Sequence, residues 1–357
     1  MKLLRIVENR PLAPLTTFKI GGAARFFVCA ETEDEVVQSV SFARERSLPM
    51  FVLGGGSNVL IADQGFEGLV LQIGIKGISR HGDLIVAAAG EDWDEFCAFC
   101  VAEDLAGIEC LSGIPGFVGG TPVQNVGAYG QEVSETIESV RALDLQSMMI
   151  VDIANTDCGF AYRSSIFNST ARNRYVVLSV TFRLIPGGTP KIEYKDLKNH
   201  FGDRSPTLSE TRETVLRIRA EKGMLVRQGG ADSNSAGSFF KNPIVPRKHY
   251  TSIAEHADAL GLGTVPYFEA GAGLLKVPAA WLIENSGFKK GYTKGRAGIS
   301  TRHSLALTNR GNATAEEILA LKTEVADAVR ERFRIELTPE PVFLGFGDDS
   351  FTSKTDR

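Results

Sequence analysis

Residues 236–243 read A-G-S-F-F-K-N-P. Ser238 follows two small residues and precedes Phe239, Phe240, Lys241, Asn242 and Pro243. Such a hydroxyl can close a turn, attack as a nucleophile or supply a proton. The nucleophile is poorly supported, because S-A-G-S-F is not G-x-S-x-G and no His–Asp partner is suggested. Two glycine loops offer different chemistry. L-G-G-G-S-N-V-L (53–60) continues from the apolar run M-F-V-L (50–53). Glycines after a buried strand let backbone N–H groups crowd a phosphate or pyrophosphate. The loop lacks the G-K-[ST] ending of a Walker loop, and Val59-Leu60-Ile61 continue apolar where a dinucleotide fingerprint would open a helix. Taken alone it is equally a plain turn. The second loop, I-P-G-F-V-G-G-T-P-V-Q-N-V-G-A-Y-G (114–130), fits neither helix nor strand. A long irregular loop in a compact domain is usually functional. Gln124, Asn125 and Tyr129 could hydrogen-bond a heterocycle edge while the glycines hold its phosphates. The alternative is an elaborate structural loop.

Strand-like and helix-like pieces alternate around these loops. Residues 34–46 and a stripe of Trp93, Phe96, Cys97, Cys100 and Val101 have helical spacing. Asp92 and Glu95 resemble a capping box before the second. Residues 68–73, 83–89, 138–145 and 175–184 read as strands, the last with Val176, Leu178, Val180, Phe182 and Leu184 on one face. P-G-G-T-P (186–190) is the best linker candidate. Beyond it come a helix near 209–222, a glycine-rich loop at 228–235, helical stretches near 248–260 and 278–286, and a long helix opening at Thr314 with Glu317 three residues on. The strand P-V-F-L-G-F (341–346) closes the ordered chain, and the polar tail after Gly347 is expected to fray.

The totals bound the function. The chain has 357 residues, enough for two or three domains. A net charge of −4 supplies no general basic field for nucleic acid. No apolar run approaches a membrane span and no secretory signal is read at the N-terminus. Five cysteines, an odd number, point to reduced thiols and a cytoplasmic protein. Cys97-x-x-Cys100 has no second pair or histidines to complete a metal site, so it is expected in the core, and no metal is expected at all. None of the five histidines has a motif around it.

T-T-F-K-I-G-G (16–22), G-G-G-S-N-V-L, I-P-G-x-V-G-G-T-P-x-Q-N-x-G-A-Y-G, Y-R-x-S-I-F (162–167), A-G-S-F-F-K-N-P and T-P-E-P (338–341) occur in this order. Each motif is modest, but the ordered series, from about residue 10 to about 346, resembles the UDP-N-acetylenolpyruvoylglucosamine reductase family of bacterial peptidoglycan synthesis. The resemblance implies an α+β fold: an FAD-binding domain of the vanillyl-alcohol-oxidase (PCMH) type in two subdomains, about 1–75 and 76–187, then a substrate-binding α+β domain over 188–347. Its last strand, about 338–347, is expected to return to the FAD-domain side, and 348–357 is the tail.

The resemblance also implies the reaction. NADPH reduces a non-covalently held FAD, and flavin N5 delivers hydride to the enolpyruvyl double bond of the UDP-sugar, giving UDP-N-acetylmuramate. Hydride addition builds negative charge on the substrate carboxylate and its α-carbon, so cations or acids and a proton are needed there. Arg163 is a fitting carboxylate clamp, because guanidinium is planar and stays charged. By sequence position alone it is equally a surface arginine. Glu340, between Pro339 and Pro341, could stay protonated near the enolate or orient Arg163 or a water. Ser238 matches the proton donor, with Lys241 nearby to stabilise an alkoxide in a dry site. The phenylalanines then read as the wall that keeps the site dry, and Lys241–Asn242 as its polar rim.

For the cofactor the resemblance points to Gly54, Gly55, Gly56, Ser57, Asn58, Val59, Pro115, Gly116, Gly120, Thr121, Gln124, Asn125, Gly127, Ala128 and Tyr129. For the sugar nucleotide it points to Tyr162, Tyr194 and Asn242. Residues 222–235 and 289–300 depart from the family pattern, so Lys290, Lys294 and Arg296 are either diphosphate ligands or a basic surface turn. An oxidase on the same fold would share the glycine loops without the Arg163, Ser238 and Glu340 set. A flavin or nucleotide-sugar sensor would need no proton donor. The substrates are small molecules, and no obligate protein partner is indicated.

Overall fold

A computed structural model describes residues 4–226 and 232–347. Residues 228–231 of the glycine-rich loop and the tail beyond Gly347 lie outside the described residues. The first sheet has the order Val7–Pro11, Ala23–Ala30, Phe66–Ile73, Met50–Leu53. Its inner pairings are parallel, which the crossing helix Glu33–Glu45 allows. The second sheet is antiparallel, in the order Met149–Ala154, Ile137–Asp144, Tyr175–Arg183, Leu84–Ala88, Ile78–His81. In its central strand Val176, Leu178, Val180 and Phe182 are buried, as alternation predicts. The helix Trp93–Ala102 lays Trp93, Phe96, Cys97 and Cys100 on this sheet, and Asp92 caps it by accepting from Glu95 N. Both CxxC thiols are therefore core residues, and burial pushes Cys100 up to about 12. One apolar cluster joins the two sheets.

The linker candidate is itself paired, since Ile185–Pro186 lies against Leu105–Ala106. The helices Lys195–Phe201 and Leu208–Glu221 then pack Leu197, Phe201, Val215 and Ile218 against Cys110 and Tyr129. By packing, these two helices sit with the N-terminal sheets, and the C-terminal core gathers from Phe239 onward. That core holds two three-stranded antiparallel sheets and the helix Ala315–Phe333. The helix buries Ile318, Leu321, Val325 and Val329, and Thr314 with Glu317 forms its capping box. Asp63, from the first domain, also accepts the amide of Ala315 at 2.9 Å.

Two stretches sew the domains together. Phe18 and Ile20 of T-T-F-K-I-G-G are buried in the C-terminal core, and the Phe18 carbonyl accepts from Asn309 Nδ2 at 2.9 Å. In return, Val342–Leu344 pairs parallel with Val59–Ile61. Among the described residues, no helix is long and apolar enough to cross a membrane and no cluster could hold a metal.

Candidate active site

The two glycine loops touch each other. A Cβ on Gly55 would lie 2.8 Å from the Cα of Gly116, and one on Gly116 would lie 2.9 Å from Ser57 Oγ. Gly56 has φ +65° and approaches the Leu15 carbonyl so closely that no side chain fits there. Its own carbonyl accepts from Thr17 N at 3.0 Å, so the 16–22 motif fixes the first loop. By contrast, Gly54 and Gly120 would point a Cβ into open space. Residues 14–17 and 113–117 with Gly55, Asp92 and Asp94 line a cleft of about 530 Å³. Bare backbone on two abutting loops, open on one side and beside a cleft, fits a bulky dinucleotide cofactor.

The second loop corrects one expectation. Asn125 is buried, with φ +45°, and its amide is spent on protein partners beyond the loop. Its Nδ2 donates to Glu132 Oε2 at 2.8 Å and to the Ala161 carbonyl at 3.1 Å, and its Oδ1 accepts from Ser134 N at 3.2 Å. It therefore shapes the loop and has no edge left to read a heterocycle. Thr121 likewise donates its hydroxyl to the Val118 carbonyl at 2.8 Å, and Val59 is a buried strand residue. Ala128 pairs with Gln131 in a short hairpin. Gln124 accepts from Asn58 Nδ2 at 2.8 Å and the Glu340 carbonyl takes its other hydrogen at 3.3 Å, so the Asn58 amide nitrogen expected at the cofactor is spent within the protein.

The carbonyl of Gly127 accepts from Arg163 Nη2 at 2.8 Å. Arg163 Nε pairs with Glu340 Oε1 at 3.1 Å, and the two side chains are 20% and 13% exposed. Nε and Nη2 of the guanidinium thus face protein partners, and among the described residues Nη1 has no hydrogen bond or ion pair, which leaves it to an anion. Burial pushes the Glu340 carboxyl above its usual range, and Arg163 and Lys241 pull it back. Beneath the clamp lies Tyr162, with Arg163 5.3 Å and Lys276 Nζ 4.4 Å from its ring centre. Burial raises the Tyr162 phenol and lowers the Lys276 ammonium. Asn242 hydrogen-bonds Tyr162 and accepts from the Ala279 amide at 2.9 Å, at the start of the helix Ala279–Glu284.

Ser238 reaches this cluster through the backbone. Glu340 N donates to the Phe239 carbonyl at 2.9 Å, and Lys241 N donates to Thr338 O at 2.9 Å. Phe240 and Pro339 form the bridge between them. Half-buried Ser238 therefore precedes the residue hydrogen-bonded to Glu340. The phenylalanines are not a wall of the site. Phe239 and Phe240 are fully buried, with Phe239 ring centres 6.2 Å from Phe18 and 6.3 Å from Phe343. They anchor the segment that carries the serine in the C-terminal core.

Tyr194 lies elsewhere on the rim, 37% exposed and edge-on to buried Tyr129 at 5.2 Å. Lys222 Nζ is 5.7 Å from both rings and pairs with Asp196 at 2.7 Å. Lys294 and Arg296 are drawn to Glu324 and Glu317 of the long helix, so the surface-turn alternative describes both. Sequence reasoning gave no role to Lys276, Glu132 or Thr17. No motif marked Lys276 or Glu132, whereas Thr17 stood in a motif whose tie to the glycine loop is visible only in three dimensions.

Comparison with known proteins matches these two halves. Residues 24–151 match the model of an FAD binding domain. Residues 229–344 match the C-terminal domain of UDP-N-acetylenolpyruvoylglucosamine reductase. Fold and site together define an FAD-dependent oxidoreductase with a dedicated C-terminal domain. A UDP-N-acetylenolpyruvoylglucosamine reductase from Streptomyces coelicolor is 47% identical over 95% of this chain and 90% of its own length. One from Thermobifida fusca is 44% identical over 95% and 98%. The chain belongs to the UDP-N-acetylenolpyruvoylglucosamine reductase family. The crystal structure of the Thermus caldophilus reductase shares the fold, with a TM-score of 0.65 and 23% identity over 96% of this chain and 99% of that one.

Proposed function

We propose that the Arg163, Glu340 and Ser238 cluster reduces the enolpyruvyl ether of UDP-N-acetylglucosamine enolpyruvate to UDP-N-acetylmuramate, with NADPH as the electron source. This is a step of peptidoglycan precursor synthesis. The observation that carries the assignment of roles is the Arg163–Glu340 pair, held by Gly127 and joined through Phe239 to the segment that carries the serine. FAD, when bound against the glycine loops, supplies the hydride chemistry between NADPH and the double bond.

The residues do the rest. Hydride adds at the methylene carbon, and the electron pair of the double bond moves toward the α-carbon and carboxylate. Arg163 Nη1 binds that carboxylate and stabilises the charge as it grows. Glu340 holds Arg163 through its ion pair, and burial raises its carboxyl above the usual range, which lessens its repulsion of the same charge. Ser238 gives its proton to the α-carbon, and the Lys241 ammonium, whose charge already acts on Glu340, stabilises the alkoxide that remains. Tyr162, Lys276 and Asn242 form one face of the substrate pocket, and Tyr194 with Lys222 forms a second, outer contact for the sugar nucleotide. Five unpaired cysteines fit a cytoplasmic site of action.

The two half-reactions test this. In Ser238→Ala, NADPH should bleach the flavin at the wild-type rate. Reoxidation by the enolpyruvyl substrate should slow by about 10²–10⁴-fold, the usual worth of a positioned acid. Impaired reduction by NADPH instead would show that Ser238 is structural.

A further inference from the structure

Glu340 lies between Pro339 and Pro341, neither of which has an N–H to donate. Its main chain is nevertheless fixed on both sides. Glu340 N donates to Phe239 O at 2.9 Å, toward the segment that carries the serine. On the other side, the Glu340 carbonyl accepts from the side-chain Nδ2 of Asn58 at 3.3 Å. Asn58 also accepts from Val342 N through its own carbonyl at 3.0 Å. The second hydrogen of the same Nδ2 goes to Gln124 Oε1 at 2.8 Å. One amide thus ties the acid's backbone to both glycine loops. A parallel strand pair, Val342–Leu344 on Val59–Ile61, begins immediately beyond it.

We infer that Asn58 is a positioning residue for Glu340, acting through Gln124 and the Glu340 carbonyl. The loops that cradle the cofactor thereby set where the acid's carboxyl stands against Arg163. This rests on the reading of Glu340 as part of the reaction site. The flanking prolines leave Glu340 N as the one main-chain donor of 339–341, and it is turned to Phe239, so the Asn58 side chain is what ties the Glu340 carbonyl to the first loop.

The test uses the full-length, flavin-loaded protein and compares Asn58→Ala, Glu340→Gln and the double variant. Asn58→Ala is expected to slow flavin reoxidation by substrate about tenfold, the worth of one or two buried hydrogen bonds. Reduction by NADPH should stay within twofold of wild type. The FAD dissociation constant of the apoprotein, read by flavin fluorescence, should change less than threefold. In the Glu340→Gln background the Asn58 substitution should add no further slowing, because the carboxyl it positions is gone. Asn58→Asp keeps the shape without the donor, guards against a folding failure of the alanine variant, and should match it.

Equal slowing in both backgrounds would overturn the inference, as would a wild-type reoxidation rate in both Asn58 variants. So would a large loss of FAD affinity, which would make Asn58 a flavin ligand. If Glu340→Gln alone fails to slow reoxidation, the reading of the site itself falls, separately from the role of Asn58.

Discussion

Arg163 illustrates how much is invested in one side chain. Its backbone has φ +54°, a left-handed conformation that costs a non-glycine residue about 1–3 kcal/mol unless its surroundings enforce it. The enforcement is visible in the Asn168 side-chain amide, which donates to the Arg163 carbonyl at 3.2 Å, and in the Gly127 carbonyl, which accepts from the guanidinium. Its partner makes a pH prediction. Burial raises the Glu340 carboxyl in the folded state, so the native protein holds that proton to higher pH than the unfolded chain does. Stability contributed by protonated Glu340 is full below the unfolded carboxyl range and is lost as pH rises through the folded value. Glu340→Gln cannot ionise, so its urea midpoint should gain on the wild type as pH is raised from 4 to 8. A constant difference across that range would mean that Arg163 and Lys241 balance burial, and a variant that loses ground to the wild type would mean that they outweigh it.

At the scale of elements, the glycine loops divide into positions that the protein fills and positions that it leaves open. Gly56→Ala would force a Cβ into the Leu15 carbonyl at positive φ, and should destabilise the fold by about 1–3 kcal/mol. Gly54→Ala meets no protein atom, so its thermal midpoint without flavin should stay near wild type. Its FAD affinity should nevertheless fall by at least tenfold. Flavin titration and melting curves of the two variants check the contrast, and equal effects on folding would show that Gly54 is a structural glycine.

These loops also mark what could be read beforehand. The strand running into Gly54–Gly56, the caps at Asp92 and Thr314 and the stripe through Cys97 and Cys100 all follow from local rules, and the structure has them. Ser238, Arg163 and Glu340 stood in separate motifs, and their types fixed what each could do. Their meeting was not local. It depends on Phe239 O reaching Glu340 N across about a hundred residues, which no periodicity encodes. The same holds for Asn125, whose amide looked available because its three partners, Glu132, Ser134 and Ala161, all lie beyond the loop, and for the two phenylalanines, whose destination is a core built largely from later residues.

At the scale of the molecule, the cleft beside the glycine loops is bounded by the 14–19 segment, by both loops and by the helix Leu208–Glu221. A ligand that binds only this assembled state stabilises it by mass action. FAD at a hundredfold above its dissociation constant should add about 2.7 kcal/mol to unfolding. No residue marks a covalent flavin link, so acid denaturation should release the flavin to the supernatant. Flavin retained by the precipitate would contradict this, and a melting temperature indifferent to added FAD would contradict the cleft as its site.

The return of Val342–Leu344 to Val59–Ile61 has a consequence for synthesis. As the chain leaves the ribosome, Val59, Leu60 and Ile61 emerge early and must wait for nearly the whole polypeptide before their strand partner exists. Until then an apolar edge stands unpaired, the kind of surface that recruits chaperones or sticks to another nascent copy. The same wait acts as an inspection step. Asn58 and Glu340 meet only when that late strand docks, so a chain broken off before it cannot assemble the clamp on Arg163 or turn over half-finished.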